Sequence, residues 1–285
     1  MNAYFYFMNT LNKYIIIIIT SFLVASCNQK KSDFESNNQI AEEVTNEKNI
    51  HPFTTSIEEK HGAQIWNTKE AVKLDLIVEF GGNTLIDGTL SMLTSTGKTR
   101  IDQKDSLNTV AIFDGENSFV SPAASSFAGA RFHLLTWPYF LAAPFKLNDP
   151  GTELEETGNK DMFGREVPSA KLTFESGIGD TPDDWYVLFK HEENGVLKAL
   201  AYIVTFGKST EKASEDPHAV VYNDFQTIEG VTLSKTWDFY GWTDDSGFGD
   251  EQIGKVTISN IEFVSASEID FNVPEDNREE ELPSS

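Results

Sequence analysis

The stretch TWPYFLAAPFKLNDPG, residues 136–151, decides how the rest of the chain is interpreted. It places aromatic and aliphatic residues around Pro138 and Pro144 in a protein whose net charge is −23. Proline is tolerated in the first turn of a helix but disrupts its interior, so we predict a short helix that begins at Pro138 and ends or kinks at Pro144. A helix that is apolar on nearly every side is buried. The stretch therefore needs an apolar surface to lie against.

Segments on both sides of this stretch have the period of β-strands. From Val72 to Phe80, hydrophobic residues occupy every second position, as in a strand with one buried face. Asp114-Gly115 indicates a tight hairpin turn, and alternating segments continue to about residue 264. About ten or eleven strands are joined mainly by short loops, which connect antiparallel neighbours. So many strands curl, and the predicted fold is mainly β with α: a curled, unclosed antiparallel half-barrel.

Two helical segments are predicted to cover the hollow side of this sheet. Residues 54–69 place Ile57, His61, Ile65 and Trp66 on one helical face, which indicates an amphipathic N-terminal helix. The second segment is the mid-chain stretch together with the apolar residues just before it. We expect both to pack against the strands.

The aromatic residues allow two interpretations. In one, they all fill the core, because each buried side chain of this size contributes about 1.5–3 kcal/mol and the fold then needs no ligand. In the other, they line an apolar cavity under residues 132–147 that binds a lipophilic molecule or acyl chains. The candidate lining residues are Trp66, Phe132, Leu135, Trp137, Tyr139, Phe140, Phe145, Trp185, Tyr202 and Trp237.

The beginning of the chain has the pattern of an export signal. Residues 15–26 form an apolar run that is too short to span a membrane. The run ends in VASC, residues 24–27, which resembles the lipobox of bacterial lipoproteins and implies acylation of Cys27 and cleavage before it. Several acyl chains hold a protein firmly on a membrane. The alternative is that Cys27, the only cysteine, is a free thiol behind an ordinary secretory signal.

Composition divides the chain into four parts. We expect a lipoprotein signal peptide at 1–26, a lipidated cysteine and polar disordered tether at 27–52, one folded domain at 53–272, and an acidic disordered tail at 273–285. In similar Gram-negative lipoproteins an Asp after the lipidated cysteine favours the inner membrane, so Asn28 indicates the outer membrane, facing the periplasm.

The segment FDGENSFVSP, residues 113–122, and the order of elements over residues 53–272 resemble the LolA/LolB lipoprotein-carrier superfamily. The resemblance implies an unclosed barrel whose helices cover an apolar cavity for acyl chains or another lipophile. Segments 136–152 and 179–189 are more similar to a group of uncharacterised bacterial lipoproteins than to LolA itself. Anchoring through Cys27 would be closer to LolB, but a protruding apolar loop like that of LolB is not identified, so general lipophile binding is the expectation.

Two other functions are kept as alternatives. A hydrolase or metal-dependent enzyme would use Asp183, Asp184, His218 or Asp224, although the acidic turn lacks the alternating spacing of a calcium loop. A structural or assembly lipoprotein would contact envelope partners through its acidic surface. Nucleic acid is a poor partner for such a charge. We expect no cofactor, no metal and a monomer.

Overall fold

The computed structural model describes residues 50–175, 181 and 183–281. The signal peptide, Cys27 and nearly all of the tether lie outside the described residues, so the expectations for them remain predictions. The helices are α1 (Pro52–His61), α2 (Ala63–Trp66), α3 (Ala130–Ala142) and α4 (Thr210–Ser214), with 3-10 turns at Ala143–Phe145 and Ala266–Glu268. The strands are β1 (Ala71–Phe80), β2 (Asn83–Leu93), β3 (Thr99–Gln103), β4 (Val110–Phe113), β5 (Ser118–Ser121), β6 (Thr152–Asp161), β7 (Glu166–Phe174), β8 (Tyr186–Lys190), β9 (Leu197–Tyr202), β10 (His218–Ile228), β11 (Val231–Thr243), β12 (Gly247–Val264) and β13 (Arg278–Glu280).

All thirteen strands form one antiparallel sheet, which is not closed into a barrel. Their order is β13-β5-β4-β3-β2-β1-β12-β11-β10-β9-β8-β7-β6, so β13 and β6 are the two edges. The prediction of a mainly β fold with a curled, unclosed antiparallel sheet is confirmed. The sheet has two or three strands more than the ten or eleven predicted, because polar edge strands such as β6 and β13 lack an apolar alternation.

The C-terminal segment differs from the predicted disordered tail. Residues 278–280 form β13, which pairs with β5. The guanidinium group of Arg278 donates hydrogen bonds to the carbonyl oxygens of Ala123, Ser125 and Phe127 at 2.9, 2.6 and 2.8 Å. Composition did not reveal this segment because backbone pairing and one arginine hold it, rather than a buried apolar face.

The two faces of the sheet belong to two hydrophobic clusters. On β8, Tyr186 and Leu188 belong to the large cluster that includes α1, α2 and α3, which we call the inner face. Val187 and Phe189 point to the opposite side, the outer face, where they join a smaller cluster with Trp242. This alternation is the period-two geometry of a strand, and it matches the two faces that the sequence predicts.

Helix α3 begins earlier than predicted. It starts at Ala130, so Pro138 lies inside the helix instead of in its first turn. Proline inside a helix removes one backbone hydrogen bond, here that to Leu134, and is tolerated where tertiary packing compensates. Pro144 lies in the 3-10 turn that follows the helix, which agrees with the predicted ending. The helix is buried along most of its length, as its apolar sequence predicts.

The predicted N-terminal helix is divided into α1 and α2 by Gly62. This residue has φ +80°, a left-handed conformation that ends α1. Ile57, His61 and Trp66 are buried as expected, but Ile65 is exposed. The break at Gly62 changes the direction of the chain, so α1 and α2 do not share one continuous helical face.

Candidate ligand site beneath helix α3

Most of the predicted ligand-binding residues meet between α3 and the inner face of the sheet. Seven of the ten side chains are buried in the inner cluster: Trp66, Leu135, Trp137, Phe140, Phe145, Tyr202 and Trp237. Tyr139 is half-buried and packs against the same cluster. Phe132 is half-buried and its ring lies 6.3 Å from that of Trp137. Trp185 is the exception, because it packs on the outer face.

Phe140 is at the centre of this arrangement. Its ring centroid lies 5.0 Å from Tyr202 on β9, and 5.9 Å from Phe239 and 6.4 Å from Trp237 on β11, so α3 contacts two strands through one side chain. Such tilted and edge-to-face ring pairs contribute about 0.5–1.5 kcal/mol beyond area burial. The contact between α3 and the sheet is therefore predominantly aromatic.

A second aromatic contact connects α2 to the end of the mid-chain segment. The rings of Trp66 and Phe145 are stacked, with centroids 4.3 Å apart and planes at 5°. His61 approaches Phe145 edge-on at 5.9 Å. The N-terminal helices and the mid-chain segment thus cover the inner face together, as the sequence predicts.

The space that these side chains enclose is small. A cavity of about 10 Å³ lies between Phe140, Leu141, Tyr222 and Trp237. That is about the minimum volume that holds one water molecule, and an acyl chain needs far more. This particular cavity is therefore too small for a lipophile as long as α3 stays packed against the sheet.

Two buried histidines contribute to the same region. His61 binds backbone groups on both sides: Nδ1 lies 2.8 Å from the oxygen of Thr232, and Nε2 accepts from the N–H of Leu197 at 3.0 Å. This pairing requires the neutral tautomer with the proton on Nδ1. Burial lowers the pKa of His61 to about 4, while the hydrogen bond to Thr232 opposes that shift. His61 therefore connects α1 to β9 and β11 as a neutral group.

His133 lies within α3 itself. Its Nδ1 accepts a 3.0 Å hydrogen bond from Nε1 of Trp137, one turn later in the helix. Its ring stacks on Phe127 at 5.3 Å, with the planes only 7° apart. Burial lowers the pKa of His133 to about 4. Sequence reasoning missed this pair, although the four-residue spacing of His133 and Trp137 in a helix was a usable signal.

The candidate catalytic residues of the enzyme alternative each have their own local partners. The buried carboxylate of Asp184 accepts hydrogen bonds from Thr181 and Thr205, and burial raises its pKa. Asp224 pairs with Lys235 at 3.2 Å. Within residues 50–175, 181 and 183–281, no group of three or more His, Cys, Asp or Glu side chains is arranged to hold a metal ion.

His218 and Asp183 also have separate partners. The imidazole of His218 lies 3.7 Å from Asp216 and stacks near Tyr202, while Asp183 accepts from Thr210 at 3.3 Å. The four candidate catalytic residues are thus each engaged in local contacts. In the described part of the chain, no helix is both long enough and apolar enough to cross a membrane.

Comparison with known proteins gives similarity at the level of structure. The chain matches no family model and no curated protein. It is similar to the crystal structure of a LolA superfamily protein from Nitrosomonas europaea, with 11% identity, a TM-score of 0.44, and coverage of 74% of this chain and 94% of that chain. It is also similar to a DUF1329 family protein from Desulfovibrio piger, with 9% identity, a TM-score of 0.43, and coverage of 75% and 94%. Similarities this distant carry over no residue role or activity.

Proposed function

We propose that this protein is a lipid-anchored envelope protein that binds a lipophilic molecule or acyl chains between α3 and the inner face of the sheet. The supporting observation is the nature of that contact. Phe140 and Trp137 lie with Trp237 and Phe239 in one continuous aromatic surface. Hydrocarbon can replace these ring contacts because neither it nor the rings need a polar partner there.

The proposed binding step is an outward movement of α3. Gly129, just before the helix, has φ +64° and nothing within 4 Å of the position a Cβ atom would take, Pro138 removes one hydrogen bond inside the helix, and Pro144 lies in the 3-10 turn after it. These positions allow the helix to bend or swing with few backbone bonds lost. Since the cavity beside Phe140 is too small for a lipophile in the closed arrangement, the apparent affinity is lowered by the fraction of molecules that remain closed.

The anchoring is proposed from the sequence. Acyl chains on Cys27 would hold the domain at the outer membrane, and the polar segment up to residue 52 would let it reach lipids in the envelope. We propose a monomer that acts by binding and not by catalysis. The local engagement of Asp184, His218 and Asp224 supports this choice.

A spin-labelled stearic acid tests the binding site directly. The five tryptophans report on both faces of the sheet, with Trp137 and Trp237 on the inner side and Trp185 and Trp242 on the outer side. We would label the full chain with ¹⁵N-tryptophan and add the spin-labelled lipid. Binding under α3 broadens the indole N–H signals of Trp137 and Trp237 and leaves that of Trp242 sharp.

The same spectra can contradict the proposal. No broadening at any tryptophan, or equal broadening of Trp237 and Trp242, would exclude a fatty-acid site under α3. Trp137→Phe serves as a control, because its indole signal disappears while Trp237 should still broaden. Stearic acid without the spin label separates shifts caused by binding from broadening caused by the label.

A further inference from the structure

A second pocket lies on the outer face, away from the proposed lipid site. Its volume is about 310 Å³, at the lower end of the range of about 300–1,000 Å³ that is common for small-molecule sites. β6, β7, the start of β8 and the end of β11 form its walls together with the segment after α4. Packing of the sheet and its helices does not by itself require a pocket at this position.

Two tryptophans form the apolar part of the pocket. The rings of Trp185 and Trp242 meet edge to face, with centroids 5.9 Å apart. Trp242 is 5% exposed, and its indole N–H has no hydrogen-bond partner among the described residues. A buried donor without an acceptor costs about 1–3 kcal/mol, and indole nitrogen can only donate. The indole nitrogen is covered in the free protein, so it can meet an oxygen atom of a ligand only after a neighbouring side chain moves aside.

The charged residues of the pocket balance one another. Lys160 forms an ion pair with Asp244 at 2.5 Å. The ammonium of Lys171 lies 5.4 Å from the centre of the Trp185 ring, and Glu215 adds a second carboxylate. Two cations and two anions favour a neutral ligand over a phosphate or a carboxylic acid. They also present donors and acceptors together, which suits a molecule rich in hydroxyl groups.

We propose that this pocket binds a pyranose ring of a saccharide. Sugar hydroxyls both donate and accept, so they can bond to Asp244 and Glu215, to the two lysines and to the N–H of Trp242. The C–H face of the sugar ring lies against the ring of Trp185. In the free protein the ammonium group of Lys171 lies over that ring, and it moves away when the sugar is bound.

Indole N–H signals of the ¹⁵N-tryptophan-labelled full chain test this site. Maltose and N-acetylglucosamine are the probes, added up to concentrations on the order of tens of millimolar, which detect Kd values near 1 mM. We expect a saturable shift of the Trp242 signal and a smaller shift of Trp185, with Trp137 and Trp237 unchanged. Because the lipid experiment reads Trp137 and Trp237 instead, the two proposals fail or succeed separately.

Variants and control molecules define the site. Trp242→Phe keeps an aromatic ring but removes the donor, and we expect the maltose affinity reported by Trp185 to fall about fivefold or more. Lys171→Met is expected to keep the fold and weaken binding. Sorbitol, which has the hydroxyls without the ring, should cause no saturable shift.

Three results would overturn the proposal. One is the absence of a saturable Trp242 shift with either sugar, and another is an equal response to sorbitol. The third is a response to inorganic phosphate but not to sugars, which would make the pocket an anion site. Unfolding curves of Trp242→Phe show whether this variant is folded. If it is unfolded, the maltose affinity of Lys171→Met decides the test instead.

Discussion

Gly62 packs directly against the turn at Gly230. A Cβ atom on Gly62 would lie 2.2 Å from the carbonyl oxygen of Gly230, far inside van der Waals contact. The turn itself is the two-residue loop Glu229-Gly230 between β10 and β11, with φ values of +48° and +85°. Three left-handed backbone positions, those of Gly62, Glu229 and Gly230, therefore meet where the N-terminal helices join the sheet.

Gly62→Ala should consequently be severely destabilising. The left-handed conformation costs about 1–2 kcal/mol for a residue with a side chain, and the backbone clash adds about 1–3 kcal/mol. Gly82 is the matched control, because it has φ +77° but nothing within 4 Å of its virtual Cβ. Urea unfolding should show a loss of about 3 kcal/mol or more for Gly62→Ala and only the smaller conformational loss for Gly82→Ala. Equal losses would contradict the packing argument.

Tyr222 compensates for the proline that ends the mid-chain segment. Its hydroxyl donates a 2.9 Å hydrogen bond to the carbonyl oxygen of Phe140. In a continuing α-helix that oxygen would accept from residue 144, but Pro144 has no N–H. Tyr222→Phe should therefore destabilise the protein by about 1–3 kcal/mol, since a buried carbonyl loses its partner. Thermal unfolding measures this, with Tyr240→Phe on the outer face as a control expected within about 0.5 kcal/mol.

The same variant bears on lipid binding. If α3 must open, weakening its attachment through Tyr222→Phe raises the population of the open form and lowers the apparent Kd for stearic acid. About 1.4 kcal/mol of weakening corresponds to a tenfold change at most. Titration of Tyr222→Phe and Tyr240→Phe with the same lipid compares the two faces. An unchanged Kd in both would contradict a helix movement as the limiting step.

Burial of His61 predicts a pH-dependent stability. The pKa of His61 is about 4 in the folded protein, whereas an unperturbed histidine has a pKa of about 6.5. Between pH 4 and pH 6.5 the unfolded state therefore binds more protons than the folded state. Stability is complete above pH 6.5 and decreases as the pH falls toward 4, by about 3 kcal/mol for this group. Urea unfolding at pH 7.5, 6.0 and 5.0 measures the slope.

His61→Gln isolates this contribution. The variant is less stable at pH 7.5, because the N–H of Leu197 loses its acceptor. Its stability should nevertheless change less steeply between pH 6.5 and 5, by up to about 1.4 kcal/mol per pH unit. His133 titrates in both proteins, so the difference between their slopes belongs to His61. Parallel slopes would show that His61 is not buried as a neutral group.

Arg278 should stabilise the loop that leads into α3. Its guanidinium group bonds three carbonyl oxygens, and a lysine cannot reproduce that fork-shaped arrangement. Arg278→Ala is expected to cost about 2 kcal/mol, with Arg278→Lys recovering less than half. Hydrogen exchange should become faster in residues 118–129. Arg165→Ala, at an exposed position, is the control and should leave exchange there unchanged.

Local patterns were sufficient for much of the strand assignment. The alternation from Val72 to Phe80 agrees with β1, which starts one residue earlier, and the alternating side chains of β8 lie on the two different faces of the sheet. This alternation does not indicate which face of the sheet the helices cover. For that reason Trp185 was placed in the inner site, although it lies on the outer face with Trp242.

By itself, the sequence determined the fold class, the number and spacing of most strands, and the burial of the mid-chain segment. These follow from periodicity and apolar content, which are local properties of the chain. Only the tertiary structure decided that Pro138 lies inside α3, that β6 and β13 join the sheet, and that the aromatic side chains close around a cavity of about 10 Å³. Each of these depends on partners distant in sequence: Tyr222 for Phe140, β5 for β13, and strands β9 and β11 for α3. A pattern of residue types does not specify such partners, because pairing and close packing are settled only when the elements meet.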